Sequence, residues 1–237
     1  MTDTITRLQQ TQHRIEIAAR LVHRPTEQIT LIAVSKKQSA DDIARLYQAG
    51  VRDFGENYLQ EALSKIANLC HFDIQWHFIG HLQTNKTRLV AEYFAWCHTL
   101  DSLKIAQRLN DQRPIHLPPL QVCIQINIDQ EAEKSGIAAE QLESLALELQ
   151  DLPNIQLRGL MCIPRTNTTT EETQKSFQRL RLLLEQLRQN TFIKNPEPLD
   201  TLSMGMSADL ELAVAEGATF VRIGTALFGE RQLGERK

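Results

Sequence analysis

The chain predicts a (β/α)8 barrel preceded by one extra helix, and three observations carry that expectation. Short apolar runs alternate with helix-period stretches along all 237 residues, and the runs number eight. Strands joined by helices of this length run parallel with helical crossovers, and a count of eight favours closure over an open sheet. The composition, 42 % hydrophobic and 23 % charged, is that of an ordinary globular protein with material for one large core. No linker or low-complexity tract divides the chain, so residues 1–237 read as one domain; the polar "PRTNTTTEET" is a loop too short to separate domains.

Each element follows in order. An amphipathic helix is expected from Thr4 to Leu21, with Ile5, Leu8, His13, Ile15, Ala18 and Leu21 roughly on one side. The first strand, "LIAVS", ends in Lys36 and Lys37; the helix "SADDIARLYQAG" follows, with Ser39 as N-cap and Gly50 as stop. "VRDFG" and "IQWHFIG" are the second and third strands, on either side of the helical "ENYLQEALSKIANL". "TNKTRLVAEY" leads into "FAWCHTL", and "SLKIAQRLN", capped by Ser102, leads into "LQVCIQIN". After "AEQLESLALELQDL" and the strand "IQLRGLMCI" comes a long helix capped by Thr170, with Phe177, Leu180, Leu184 and Leu187 on its core side. "PLDTLSM", the helix "SADLELAVAEG" stopping at Gly217, and "ATFVRIG" complete the set. The second and seventh runs are poorest in apolar residues, which leaves an open doubly wound sheet as the alternative. No dinucleotide-type glycine fingerprint or Gly-Lys-Ser/Thr phosphate loop supports it.

Charge and cysteine usage narrow the function classes. A net charge of −3 without a Lys/Arg-dense run argues against a nucleic-acid or anionic-membrane surface, which needs a concentrated basic footprint. The N-terminal segment lacks the layout of a signal peptide, and no apolar run approaches the ~20 residues that span a bilayer, so a cytoplasmic protein is expected. Cys70, Cys97, Cys123 and Cys162 lie at unrelated spacings and read as reduced core residues, neither a disulfide framework nor a zinc site.

In a barrel of this type the active site lies at the C-terminal strand ends, and here those ends are polar. They carry Lys36; Gly55, Glu56 and Asn57; Gly80 to Gln83; Asp101 and Ser102; Asn127 and Asp129; Arg165; Ser203 through Ser207; and Arg222 through Thr225. Barrels place phosphate at the loops after strands seven and eight, where Ser207 would open a helix and Gly224 and Thr225 offer close backbone approach and a hydroxyl. A lysine leaving an apolar strand into the mouth loses its proton more readily than a solvated one, and its amine forms imines with aldehydes. Lysine plus phosphate cradle points to pyridoxal 5′-phosphate (PLP). Lys36 shares side-chain parity with Ile32 and Val34, the β-branched type that fills barrel interiors, whereas Lys37 shares it with Leu31, Ala33 and Ser35, so Lys36 is the candidate. His77 and His81 lie four apart, but without a neighbouring glutamate and with Gly80 between them they make no metal motif; no metal is expected. Glu56 and Asp101 could serve as acid and base, though strand-end carboxylates more often cap the following helix.

The stretches "LIAVSK", "FGENYLQE", "WHFIGHLQTNK", "QINIDQEAEKSG", "RGLMCIP" and "LSMGMSADLELAVAEGATFVRIGTALFG" together resemble the pyridoxal phosphate homeostasis protein family, over nearly the whole chain and in order. That family is a PLP-binding barrel related to the N-terminal domain of alanine racemase. The resemblance implies an imine on Lys36, phosphate contacts from Ser207, Gly224 and Thr225, and Arg222 facing the pyridine nitrogen. Asn57, His77 and Met204 also sit in matching motifs near the cofactor. His81 in "GHLQTNK" departs from the family pattern, and no role is carried over to it. The function implied is PLP homeostasis and delivery without turnover, with PLP and apo PLP-dependent enzymes as partners, no catalytic residue, and a monomer. Arginine can only donate to the ring nitrogen and keeps it unprotonated, which makes the ring a poorer electron sink. The alternatives are a PLP-dependent amino-acid racemase and a phosphosugar aldolase with Lys36 as its Schiff-base residue. Alanine racemases add a β-rich C-terminal domain that supplies a catalytic tyrosine, whereas this chain ends at Lys237, just past its eighth strand.

Overall fold

Alternation of strand and helix is what places eight strand ends on one rim. The computed structural model describes residues 3–195 and 198–229. Its strands are β1 (Thr30–Val34), β2 (Asp53–Glu56), β3 (Gln75–Phe78), β4 (Trp96–Leu100), β5 (Leu120–Gln125), β6 (Ile155–Met161), β7 (Thr201–Ser203) and β8 (Phe220–Ile223). All pair in parallel and in chain order, and β8 pairs back onto β1, which closes the barrel and removes the open-sheet alternative. The two runs poorest in apolar residues do form strands, of four residues in β2 and three in β7. Short strands suffice because neighbouring chain extends the ladder: the Met204 N–H donates to Phe220 O and the Arg222 N–H to Gly205 O.

The helices are α1 (Thr4–Leu21), α2 (Ala40–Gln48), α3 (Leu59–Asn68), α4 (Thr87–Tyr93), α5 (Leu103–Gln112), α6 (Leu142–Leu149), α7 (Thr170–Gln189), α8 (Leu210–Ala215) and α9 (Thr225–Phe228). In α1 the buried stripe is Leu8, Thr11, Ile15, Ala18 and Ala19, at three- and four-residue spacing. His13 and Leu21, expected on that side, are exposed. Ser39 caps α2 in a reciprocal capping box with Asp42, as expected. In α7 the cap is Thr169 rather than Thr170, because Glu172, three residues on from Thr169, completes the box. Ser102 stands at the N-cap of α5 in extended conformation but makes no side-chain cap bond. Among the described residues no helix is long and apolar enough to cross a membrane.

Two cores result. The larger lies between the sheet and the helices and takes Ala33, Phe54, Leu120, Val122, Phe177, Leu180 and Val221. A smaller one, of Trp96, Cys123 and Met161 with Phe220 against it, fills the lower barrel. Trp96 on β4 meets Phe220 on β8 edge-on at 4.9 Å, and strands on opposite sides of a barrel touch only through its inside. Phe220 therefore points inward, and Arg222, two residues on, does too. The register Ile32↔Arg222 puts Ile32 on the same face, so the alternation Ile32, Val34, Lys36 belongs to the barrel interior.

Candidate functional site

The rim where β1, β7 and β8 meet gathers most of the residues singled out from sequence. Ser35 still belongs to the sheet, its N–H donating to Gly55 O at 3.0 Å, and its hydroxyl turns outward to donate to Glu56 Oε1 at 2.5 Å. Lys36 thereby returns to the inner side and is half-buried. Lys37 is exposed and left-handed, with φ of 64°, and its N–H donates to the Glu61 carboxylate. Side-chain parity along β1 thus separates the two lysines in the geometry as it does in the sequence.

Behind this turn lies a buried ionic cluster that sequence alone does not resolve. Lys65 Nζ donates to Ser35 O at 2.6 Å, Glu56 Oε1 at 2.7 Å and Glu61 Oε1 at 2.6 Å. Glu56 therefore serves the β1–α3 junction rather than the mouth, and burial pushes its carboxyl above the ordinary glutamate range despite Lys65 and Ser35. Asp101, the other carboxylate considered for acid–base work, is likewise pushed up by burial.

The phosphate-type loops are close to the expectation but differently wired. Gly205, with φ of 90°, turns the chain after β7; a Cβ there would lie 2.4 Å from Ala213 Cβ, so only glycine fits. Ser207 does not open α8, which starts at Leu210 with Asp209 as its N-cap residue. Its Oγ instead accepts the Ala226 N–H at 3.2 Å, which ties the β7 loop to the first turn of α9. Gly224 and Thr225 stand at the start of that turn, and Gly224 packs against Val34, with its ideal Cβ position 3.6 Å from Val34 Cβ. Helix starts leave their first N–H groups without intrahelical acceptors, the donor arrangement an anion takes up. From outside, Arg14 of α1 braces the loop: its guanidinium donates to Ser207 O at 3.0 Å and to both Glu211 carboxylate oxygens at 2.7 and 2.9 Å.

Beneath the rim, Arg222 is 5 % exposed and donates to Ser203 Oγ at 2.8 Å and Cys162 O at 2.9 Å. Ser203 Oγ is 2.8 Å from His98 Nδ1, His98 Nε2 is 2.9 Å from His77 Nδ1, and His77 Nε2 is 2.9 Å from Asp53 Oδ1. Burial pushes both histidines below their ordinary value, His98 well below, so they are neutral near pH 7. His77, which the resemblance puts near a cofactor, is fully buried and three hydrogen bonds from Arg222. The Met204 side chain lies in the core outside the barrel, because β7 turns Ser203 inward and Leu202 and Met204 outward.

Around the ends of β2 to β6 the mouth opens into a cavity of about 300 Å³ lined by Asn57, Thr99, Gln125, Asn127, Lys134 and Ser135 among others. Asn57 Oδ1 is buried there with no hydrogen-bond partner among the described residues, which marks it as an acceptor for a ligand donor. Gly80 permits this wall to form, since a Cβ on it would lie 2.1 Å from Asn57 O. Asn127, by contrast, is used internally: its amide clamps the Glu131 backbone through both its N–H and its oxygen. His81 lines the cavity as an exposed residue, its Nδ1 3.2 Å from Ser135 Oγ. No group of three potential metal ligands occurs among the described residues. Cys97, Cys123 and Cys162 are buried free thiols, and burial pushes Cys97 up to about 11, whereas Cys70, expected in the core with them, is exposed.

A closed parallel barrel with a lysine leaving its first strand, small-residue loops after the seventh and eighth, and an inward arginine on the eighth is the arrangement of the alanine racemase N-terminal domains. The model of that family, "Alanine racemase, N-terminal domain", matches residues 6–232. Within it, the chain belongs to the pyridoxal phosphate homeostasis protein family. It is 53 % identical over 93 % of both chains to the pyridoxal phosphate homeostasis protein of Pseudomonas aeruginosa. Its identity to the Escherichia coli K12 protein of the same name is 48 % over the full length of both. Among solved structures it is similar to PipY of Synechococcus elongatus with PLP bound, at 39 % identity and a TM-score of 0.78 over 91 % of this chain and all of that one. Alanine racemase from Corynebacterium glutamicum shares the fold, with 16 % identity and a TM-score of 0.65 over 95 % of this chain and 62 % of that one.

Proposed function

We propose that the barrel mouth binds PLP covalently at Lys36 and that the protein serves intracellular PLP homeostasis by holding the cofactor and releasing it to apo PLP-dependent enzymes, without turnover of its own. The observation that carries this is an inward-parity lysine at the end of β1 beside a loop pair with donors for an anion, with Arg222 buried beneath that rim. PLP bound to PipY and the names of the close relatives support the same ligand.

The residues fit the group. Lys36 would hold the group by condensing its amine with the aldehyde, with loss of water. Ser207 already accepts from Ala226 N–H, so its own O–H would be a donor for a phosphate oxygen, beside the N–H groups at Gly224 and Thr225. Arg222 would donate to the ring nitrogen and could not protonate it. When bound, the cofactor supplies an electrophilic carbon and a ring whose capacity to accept electrons depends on that nitrogen. An unprotonated ring nitrogen disfavours the carbanion chemistry of decarboxylases and transaminases, whereas storage and release make no such demand.

The test is borohydride reduction of PLP-loaded protein followed by peptide mass analysis, with an apo PLP enzyme offered separately as acceptor. The pyridoxyl group is expected on Lys36, and Lys36→Ala should lose it entirely. Label on Lys37, or none, overturns the site. Acceptor reactivation faster than spontaneous release supports delivery; α-proton exchange of amino acids in deuterated water, with kcat of about 1–10³ s⁻¹, would make the protein a racemase instead.

A further inference from the structure

The four groups below Arg222 form a single chain whose direction is fixed by chemistry. Arginine only donates, so Ser203 Oγ accepts from it. At the other end the Asp53 carboxylate only accepts, so His77 must carry its proton on Nε2. A neutral His77 then presents a lone pair at Nδ1, which requires the proton of His98 on Nε2 and leaves His98 Nδ1 to accept the Ser203 hydroxyl proton. Every donor meets an acceptor in this arrangement. The opposite tautomers would set the His77 Nε2 lone pair against the Asp53 carboxylate 2.9 Å away.

The surroundings keep water out. His77 stacks on Trp96 at 5.7 Å with 12° between the rings, and the edge of Phe220 closes the other side at 5.4 Å. His98 and Ser203 are fully buried, while the Asp53 side chain is 22 % exposed at the opposite end of the barrel from the mouth. The chain therefore links a partly solvated anion at the bottom to a buried cation under the mouth.

We propose that Asp53, His77, His98 and Ser203 form a directional hydrogen-bond relay that positions the Arg222 guanidinium, and so sets how strongly bound PLP can draw electrons. They are positioning residues, since none of them touches the cofactor. That Arg222 faces the cofactor ring rests on the PLP reading; the relay itself does not.

Two measurements distinguish the relay from the PLP reading. In ligand-free protein at neutral pH, ¹⁵N–¹H NMR of the histidine rings should show His77 and His98 both as neutral Nε2–H tautomers. An Nδ1–H tautomer or an imidazolium at either position overturns the relay whatever the protein binds. In PLP-loaded protein, Ser203→Ala should shift the absorption band of the bound cofactor and weaken PLP binding roughly three- to tenfold, the size of one hydrogen bond. Ser203→Thr, which restores the hydroxyl, should recover the wild-type band. Asp53→Asn removes the charge at the partly solvated end and should give a smaller shift in the same direction. If both spectra match wild type while Lys36 is still labelled by borohydride, the positioning role is wrong and the PLP reading stands. If wild type takes no label, the PLP reading fails and the tautomer result alone decides the relay.

Discussion

Strand β2 sends one carboxylate to each face of the sheet, and the protein treats the two in opposite ways. Glu56, facing outward, meets its cation directly: Lys65 lies 2.7 Å away and spends its other donors on Glu61 and Ser35 O. Asp53, facing inward, never touches Arg222; two neutral imidazoles and a hydroxyl stand between them. The difference follows from what each cation must do. Lys65 is structural, so an ion pair that consumes every ammonium donor is acceptable, and it pins both Ser35 and, through Glu61, the Lys37 backbone. Arg222 is read as a ligand contact, and a carboxylate against it would compete with the ligand. The relay holds the guanidinium through the Ser203 hydroxyl instead of through a carboxylate placed against it.

The largest effect separating the two arrangements is expected from Lys65→Met. It leaves Glu56 and Glu61 as buried or half-buried anions without their cation, and removing one member of a buried pair costs about 3–5 kcal/mol. Denaturant midpoints measure it; a loss under about 1 kcal/mol would mean the cluster is no more than a surface-type pair. The inner chain should answer to pH instead. His77 and His98 have folded-state values pushed down from the ordinary 6.5, so the stability they confer is present above 6.5 and lost as pH falls and the unfolded chain takes up protons first. His98 faces His77, Trp96, Phe220, Ser203 and the Arg222 charge, and among the described residues no carboxylate contacts it. His98→Gln should therefore flatten the acid limb of stability against pH by about 1.4 kcal/mol per pH unit, the contribution of one proton. Superimposable slopes would show that His98 is already protonated in the native state. Smallest is Arg14→Ala. Its carboxylate partner Glu211 is half exposed, so thermal unfolding should reveal a loss below about 1 kcal/mol, whatever the loop-bracing contact to Ser207 O adds to ligand affinity.

The barrel is legible in the sequence because periodicity and punctuation are local: each strand's apolar run and each helix's stop lie within a dozen residues. That Lys36 and Lys37 fall on opposite faces of the β1 alternation is legible for the same reason, since parity within a strand needs no knowledge of neighbours. Ser207 is not the helix opener it resembles, because "SADLELAVAEG" reads as one helical stretch while Asp209, two residues later, takes the N-cap position. The relay is not legible, because it depends on the register of four strands. Asp53, His77, His98 and Ser203 are far apart in sequence, and only the pairings Gly55↔His77, His77↔Trp96 and Met161↔Ser203 bring their faces together. One local signal exists: His77, His98 and Arg222 are polar residues in the middle of strands otherwise apolar, which is where buried polar partners should be sought.

The brace from α1 to the β7 and β8 loops also bears on how the chain can acquire its structure. Arg14 and Glu211 are 197 residues apart, β1 finds its second neighbour only in β8, and the Arg7 guanidinium packs where a side chain at Gly229 would have to go. A nascent chain emerging from its N-terminus must therefore carry α1 and one unpaired edge of β1 exposed until almost everything else has been made. Contacts of this span slow folding and leave an open strand edge to other chains meanwhile. The rim that gathers Lys36, Ser207 and Thr225 is the seam where β1 meets the chain around β7 and β8, so that rim is assembled only when the ring closes.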